Sequence, residues 1–190
     1  MFAPSKEREE YVRVLDFLPY GKIKDDRPSY QKKPLIQAIG EKSFVLMELT
    51  PKDDQTPMIH DRLYIGKNER EVVDHVNSRL KYVELSHAAQ SELPHVLTEI
   101  VKDNEVEFLD IYNKSYSITT RLHILDLFPG IGRKFVNMIL RERKKGDFES
   151  FEDVTNRIKG LYHPEKIIAG RIEEELQDDH IKYRIFTIAK

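Results

Sequence analysis

One stretch limits the folds open to this chain more than any other: Leu127-Phe128-Pro129-Gly130-Ile131-Gly132-Arg133-Lys134. Ile118, Leu122, Leu125 and Phe128 lead into it at spacings of four, three and three, which predicts an amphipathic helix. Ile131, Phe135, Ile139 and Leu140 predict a second helix leading out. Pro-Gly-x-Gly between two helices makes a tight corner. Glycine takes backbone conformations that a Cβ disfavours, and it lets a bulky group approach the main chain. The amides of Gly130 and Gly132 are then expected to face outward at the start of the second helix. Unpaired N–H groups and the positive end of the helix dipole make that position suitable for a phosphate. Arg133 and Lys134 oppose the dipole there unless an anion lies between them and the amides. The expectation is contact with a phosphate backbone; the alternative is a plain helical corner.

The stretch recurs. Thirty positions after Phe128-Pro129-Gly130-Ile131-Gly132 stands Ile158-Lys159-Gly160-Leu161-Tyr162, again between apolar segments. Tyr162 replaces the second glycine, and its ring would crowd a phosphate, so the second copy is expected to pack rather than bind. Charge divides in the same way. From Arg121 to Lys145 there are seven Lys/Arg against two Asp/Glu, whereas from Gly146 to Ile181 there are four against ten. A field split like this can orient a polyanion on one face, and the acidic segment is a candidate surface for a basic protein partner.

Composition removes whole classes of chemistry. The 190 residues contain no cysteine, which excludes disulfides, thiolate metal sites and a cysteine nucleophile. The seven histidines include no pair at helical ligand spacing, so no metal site is expected. There is no Ser/His/Asp arrangement, no Walker loop and no dinucleotide fingerprint, since Gly130-Ile131-Gly132 has no strand before it. No catalytic residue and no cofactor are therefore assigned. The polar start is no signal peptide and no apolar run reaches the length of a membrane span, so the expectation is a cytoplasmic protein without a membrane partner.

In order along the chain, Tyr11 to Leu18 reads as a strand, and the runs 34–39 and 44–49 read as a hairpin. Arg62 to Ile65 is a short strand. Residues 69–80 have Val72, Val73, Val76 and Leu80 at helical spacing, and 81–85 reads as a fifth strand. Helices are expected from Ser86 onward: one capped by Ser86 with Pro94 near its proper start, one over 105–114, the pair around Gly130, one capped by Ser150, and a last one over 164–176. Tyr183 to Ile188 alternates as a terminal strand would. The expected fold class is α+β, an OB-like antiparallel β-barrel region over 1–85, connecting helices over 86–115, and an all-α tandem helix-hairpin-helix domain with a terminal strand over 116–190. In the barrel the loop from Tyr20 to Lys33 combines two tyrosines with five cations. Rings to stack on and cations to follow phosphates suit a single strand, so Tyr20, Lys22, Lys24, Tyr30, Lys32 and Lys33 are candidate contacts.

The doubled Gly turn, over roughly Ser117 to Leu176, resembles the tandem helix-hairpin-helix domain of Holliday-junction and excision-nuclease proteins. The whole chain resembles a family of uncharacterised archaeal proteins described as RNA- or nucleotide-binding, with an OB-like N-terminal region. These resemblances imply sequence-independent binding of RNA or DNA through Gly130, Ile131, Gly132, Arg133 and Lys134, without catalysis. Arg141, Lys144 and Lys145 at the end of the same helix are either further phosphate contacts or C-terminal caps. Pro129 to Lys134 is also similar to the hairpin of helix-hairpin-helix DNA glycosylases, which implies a lyase alternative with Lys134 forming a Schiff base and a carboxylate near Glu152 or Asp153. A protein-interaction scaffold is the third reading.

Overall fold

A computed structural model describes residues 8–21 and 33–188. Five strands precede five helices: β1 (Tyr11–Leu18), β2 (Leu35–Gly40), β3 (Leu46–Pro51), β4 (Arg62–Tyr64), β5 (Val73–Arg79), α1 (His87–Asp103), α2 (Glu105–Lys114), α3 (Arg133–Arg143), α4 (Phe151–Arg157) and α5 (Pro164–Gln177), with 3-10 turns at Tyr82–Glu84 and Ile124–Leu127. Two compact units share them. Described residues up to Val96 and from Glu175 onward form one, and Leu97–Glu174 form the other.

The first unit is built on an antiparallel sheet in the order β4-β1-β2-β3-β5, an open half-barrel whose edges are β4 and β5. Alternation decides what each strand buries. Val12 and Val14, Ile36 and Ala38, and Met47 and Leu49 are two residues apart on successive strands and share one core with Leu63 and Val73. Burying each of these side chains other than Ala38 stabilises by about 1.5–3 kcal/mol. The β2–β3 loop is pinned by Glu9, whose carboxylate accepts from the amides of Lys42 at 3.0 Å and Ser43 at 2.6 Å. Gly40 is required there, because a Cβ would collide with the Glu9 side chain. Beside it, Glu41 accepts from Arg13 at 2.7 Å and from both Nε and Nη2 of Arg62. Burial pushes the Glu41 carboxyl up, but the bonds from Arg62 and Arg13 outweigh it and hold the group below the ordinary range.

The second unit packs α2, α3 and α4 with most of α5. Tyr112 is fully buried and donates to the Pro164 carbonyl at 3.0 Å. Asn113 bonds the backbone of Phe148 in both directions, at 2.9 and 2.8 Å. Arg157 gathers the end of α3: it donates to the carbonyls of Glu142, Gly146 and Asp147 and lies over the Phe148 ring at 4.3 Å.

These observations correct several expectations. The helices do not form a separate all-α tandem domain behind a barrel, because α1 begins and α5 ends in the sheet-bearing unit. Residues 73–79 are the edge strand β5, and 82–84 form a 3-10 turn rather than a fifth strand. The valine spacing fitted a helix, but Val76 is 40% exposed, and β-branched residues pair readily with the free edge of β3. Pro94 lies inside α1, which starts at the Ser86 cap, where the hydroxyl accepts from the Ala89 amide at 3.0 Å. The segment 183–188 is not a strand. Its amides at Ile185, Phe186 and Thr187 donate instead to the fully buried Glu175 carboxylate, at 2.8, 3.1 and 3.0 Å. Glu175, in the acidic segment expected to offer a surface to a basic partner, is thus buried instead. No helix among the described residues is long and apolar enough to cross a membrane.

Candidate nucleic-acid interface

The approach to α3 differs from the expected helix. Thr119 takes the amides of Arg121 and Leu122 onto its hydroxyl at 3.3 and 3.1 Å, and Ile118 donates to the Leu122 carbonyl at 2.8 Å. Local bonds of this kind compete with a helix, and a Ser117–His123 bridge closes the loop. Helical structure begins only at the 3-10 turn, where His123 Nδ1 accepts from Leu125 at 3.1 Å and the His123 amide donates to Asp126 at 2.8 Å.

His123 must be neutral at Nδ1 to accept. Burial holds its imidazole below the ordinary range, and the nearby Arg143 guanidinium adds to the effect. Folding therefore lowers this pKa. The stabilisation is complete above the unfolded value of about 6.5 and is lost as pH falls through it toward the folded value. His123→Asn, which keeps an acceptor, is expected to lose less stability than the parent between pH 7.5 and 5.5 in urea unfolding.

Leu125, Phe128 and Ile131 are buried and anchor the turn. From α5, the buried Arg171 donates to the Leu127 carbonyl at 3.1 Å, and Gly170 lies where a Cβ would come within 3.2 Å of Pro129 Cγ. Gly130 has φ +78°, the left-handed conformation that favours glycine. Gly132 is the N-cap of α3, at φ −92° and ψ 175°. A Cβ at either glycine would meet nothing within 4 Å, so the turn presents its main chain to open space.

The first intrahelical bond of α3 runs from the Val136 amide to the Gly132 carbonyl at 3.1 Å, so the amides just before it have no helical partner. No side chain caps this terminus, and its first turn holds no acidic residue. The other helices differ. Ser86 caps α1, Glu105 and Glu107 lie in the first turn of α2, the Ser150 hydroxyl takes the Asp153 amide at 3.0 Å at α4, and Glu165 lies in the first turn of α5.

Around the turn, Arg133 and Lys134 are exposed, and Arg133 Nη2 donates to the Arg121 carbonyl at 3.1 Å. The Arg121 main chain thereby joins the turn. It escaped the sequence reading because only the Thr119 loop brings it there. Lys134 and Arg141 are seven residues apart, hence on one stripe of α3, and Lys144 and Lys145 follow just past its end. Lys145 also pairs with Glu142 at 2.8 Å. Arg157 takes the Glu142 carbonyl in the last turn of α3, to which the Lys144 and Lys145 amides also donate. Arg143 is not part of the exposed stripe; it donates to the carbonyls of Tyr112 and Ser115.

The thirty-residue repeat persists in the backbone. Gly160 has φ +93°, and the Leu161 amide donates to Ile158 at 3.0 Å just as Ile131 donates to Phe128 at 3.1 Å. Tyr162 stands 70% exposed at the position of Gly132. Asp153, near the place of the carboxylate in the lyase alternative, accepts from Arg157 at 3.1 Å and belongs to the α4 cap. Tyr20 and Lys33 are exposed in the sheet-bearing unit, whereas Lys22, Lys24, Tyr30 and Lys32 lie outside the described residues. Among the described residues no cluster of three metal-ligating side chains occurs.

Over residues 8–188 the sequence matches the family described as "Protein of unknown function (DUF655)". The chain belongs to this family. It is 44% identical over 180 residues to an uncharacterised protein of Methanocaldococcus jannaschii, covering 94% of this chain and 80% of that one. It is also similar to a DUF655 crystal structure from Archaeoglobus fulgidus, at a TM-score of 0.91 and 46% identity, over 95% of this chain and 100% of that one. The family is thus an uncharacterised one with archaeal relatives, as expected from the sequence, while the match carries no evidence for the tandem helix-hairpin-helix domain.

Proposed function

We propose that this DUF655 protein binds RNA or DNA through the phosphate backbone, at the Pro129–Gly132 turn and the start of α3, without catalysing a reaction. The observation that carries this reading is the state of the α3 N-terminus. Among the five helices of the described residues it alone has neither a side-chain cap nor an early carboxylate, yet Gly132, Arg133 and Lys134 at its start are exposed, and a Cβ on Gly132 would meet nothing within 4 Å. Cations at the positive end of a dipole are unfavourable by roughly 0.3–1 kcal/mol each, and a phosphate reverses that sign. The stripe through Arg141, continued past the helix end by Lys144 and Lys145, would extend the contact along a strand. Backbone amides grip any sequence, so the binding is expected to be sequence-independent.

Arg133→Ala and Lys134→Ala are each expected to weaken binding several-fold on every sequence tried. Each should also reduce the slope of log affinity against log salt by about one unit. Fluorescence anisotropy with duplex and single-stranded oligonucleotides at several salt concentrations measures both effects. Covalent trapping of the chain on abasic DNA by borohydride would instead assign Lys134 a lyase role.

A further inference from the structure

The Pro129–Gly132 turn stands at the end of a run of short-range hydrogen bonds that begins at one imidazole. His123 Nδ1 accepts from the Leu125 amide at 3.1 Å, the Leu125 carbonyl from the Phe128 amide at 3.3 Å, and the Phe128 carbonyl from the Ile131 amide at 3.1 Å. Gly132, the N-cap of α3, comes next. His123 is itself the N-cap of the Ile124–Leu127 turn, and its amide donates to the Asp126 carboxylate at 2.8 Å. Each link spans only two or three residues. Loosening the first therefore shifts the last while the helices stay in place.

The ring is buried, and its surroundings suit one proton but not two. With Nδ1 as acceptor the proton lies on the other nitrogen, for which Ser115 is the backbone acceptor. The Arg143 guanidinium reaches the same place from α3, donating to the Ser115 carbonyl at 2.9 Å and its hydroxyl at 3.3 Å. Among the described residues Asp126 is the carboxylate that acts on the ring, and it already accepts from the His123 amide. A second proton would sit on Nδ1 and face the Leu125 N–H, donor against donor. It would also bury a positive charge beside Arg143. Both are unfavourable away from water, and the ring relieves them by leaving its place.

We propose that His123 is a proton-sensitive latch on the nucleic-acid site: neutral, it holds the Gly132 turn in its binding shape, and protonated, it lets the turn go and weakens the grip. This rests on the α3 reading and adds its regulation. The sign is opposite to the one that net charge alone gives. Acidification makes the whole chain more positive, which strengthens attraction to a polyanion. Only a group whose neutral form shapes the site weakens binding as pH falls. Burial, with Arg143 adding to it, holds the imidazole below its ordinary value, so the release falls below about pH 6.5.

Anisotropy of a fluorescein-labelled oligonucleotide on the full chain, from pH 7.5 to 5.0 at constant ionic strength, tests the latch together with imidazole and 15N NMR of the free chain. The parent's affinity is expected to halve at the midpoint of the His123 ring and to be about tenfold lower one unit below it, because the neutral, competent fraction falls in that ratio. The Gly132 amide of the free chain should move with the same midpoint. His123→Asn and His123→Gln keep an acceptor and do not titrate. In each, affinity relative to its own value at pH 7.5 is expected to hold or rise, and the Gly132 amide to lose that titration. Parent affinity that stays level or rises, or falls equally in the variants, overturns the latch and leaves the α3 site standing. So does a His123 ring that stays neutral down to pH 5.0, or one that titrates without moving Gly132. Unfolding of the whole parent chain over this range, seen by circular dichroism, overturns it too, since the release is local. No binding by the parent at pH 7.5 overturns the α3 reading itself, and the latch with it.

Discussion

Gly132→Tyr is expected to lower affinity for nucleic acid on the order of a hundredfold while the protein stays folded. Its φ of −92° is open to any residue, and an added Cβ meets nothing within 4 Å, so the change costs the fold little. What it removes is access. Hydrogen bonds from amides to a charged group contribute about 1.5–3 kcal/mol each, and losing one or two of them gives a decrease of that order. Gly130 is the poorer test, since at φ +78° any side chain is strained and instability would be confused with lost binding. The reciprocal change, Tyr162→Gly, is expected to restore little. The first turn of α5 already holds Glu165, whose buried carboxylate lies 3.3 Å from His163 Nδ1 and 3.8 Å from Lys102 Nζ. Anisotropy titrations with circular dichroism on the same samples decide both.

Glu175→Ala is expected to be the most destabilising single substitution proposed here, by about 3 kcal/mol or more. Its carboxylate is fully buried and receives the amides of Ile185, Phe186 and Thr187 together with the Thr187 hydroxyl at 3.0 Å. Removing it leaves buried donors without an acceptor, which costs more than the net value of the bonds it made. For a chain of this length that corresponds to a fall in Tm of about 6–12 °C. Thr187→Val removes only the hydroxyl donor and is expected to cost about 1 kcal/mol. Differential scanning calorimetry would show the two in that order.

The contrast between Gly132 and Glu175 shows what could be read from the sequence. The turn was legible because Pro, Gly and Gly each impose a local conformation, and the buried Phe128 and Ile131 follow from it. Local signals likewise placed α2, the Ser150 cap of α4 and the span of α5. Glu175 was illegible for the opposite reason. Glu173-Glu174-Glu175 reads as three solvated acids until tertiary structure brings the 185–187 amides to the third. The same limit hid β5, whose valines suit a helix face or a strand equally until β3 offers an edge. It also hid the lead-in to α3, where the Thr119 hydroxyl and the His123 cap displace the expected helix. The Arg121 main chain reaches the turn only through that loop. The separate all-α domain was an inference from chain order, and order alone does not reveal that α1 and α5 are shared with the sheet.

Amide chemical shifts on binding test the central claim most directly. With a short duplex or single strand added at low salt to the 15N-labelled chain, the Gly132, Arg133 and Lys134 amides are expected to move most, and downfield, as N–H groups do when a phosphate oxygen accepts from them. The shifts should fade as salt is raised, in step with the loss of affinity. Saturating nucleic acid that leaves these three amides unmoved, with the perturbation gathered elsewhere, would contradict the account and reduce the Pro129–Gly132 turn to a structural corner.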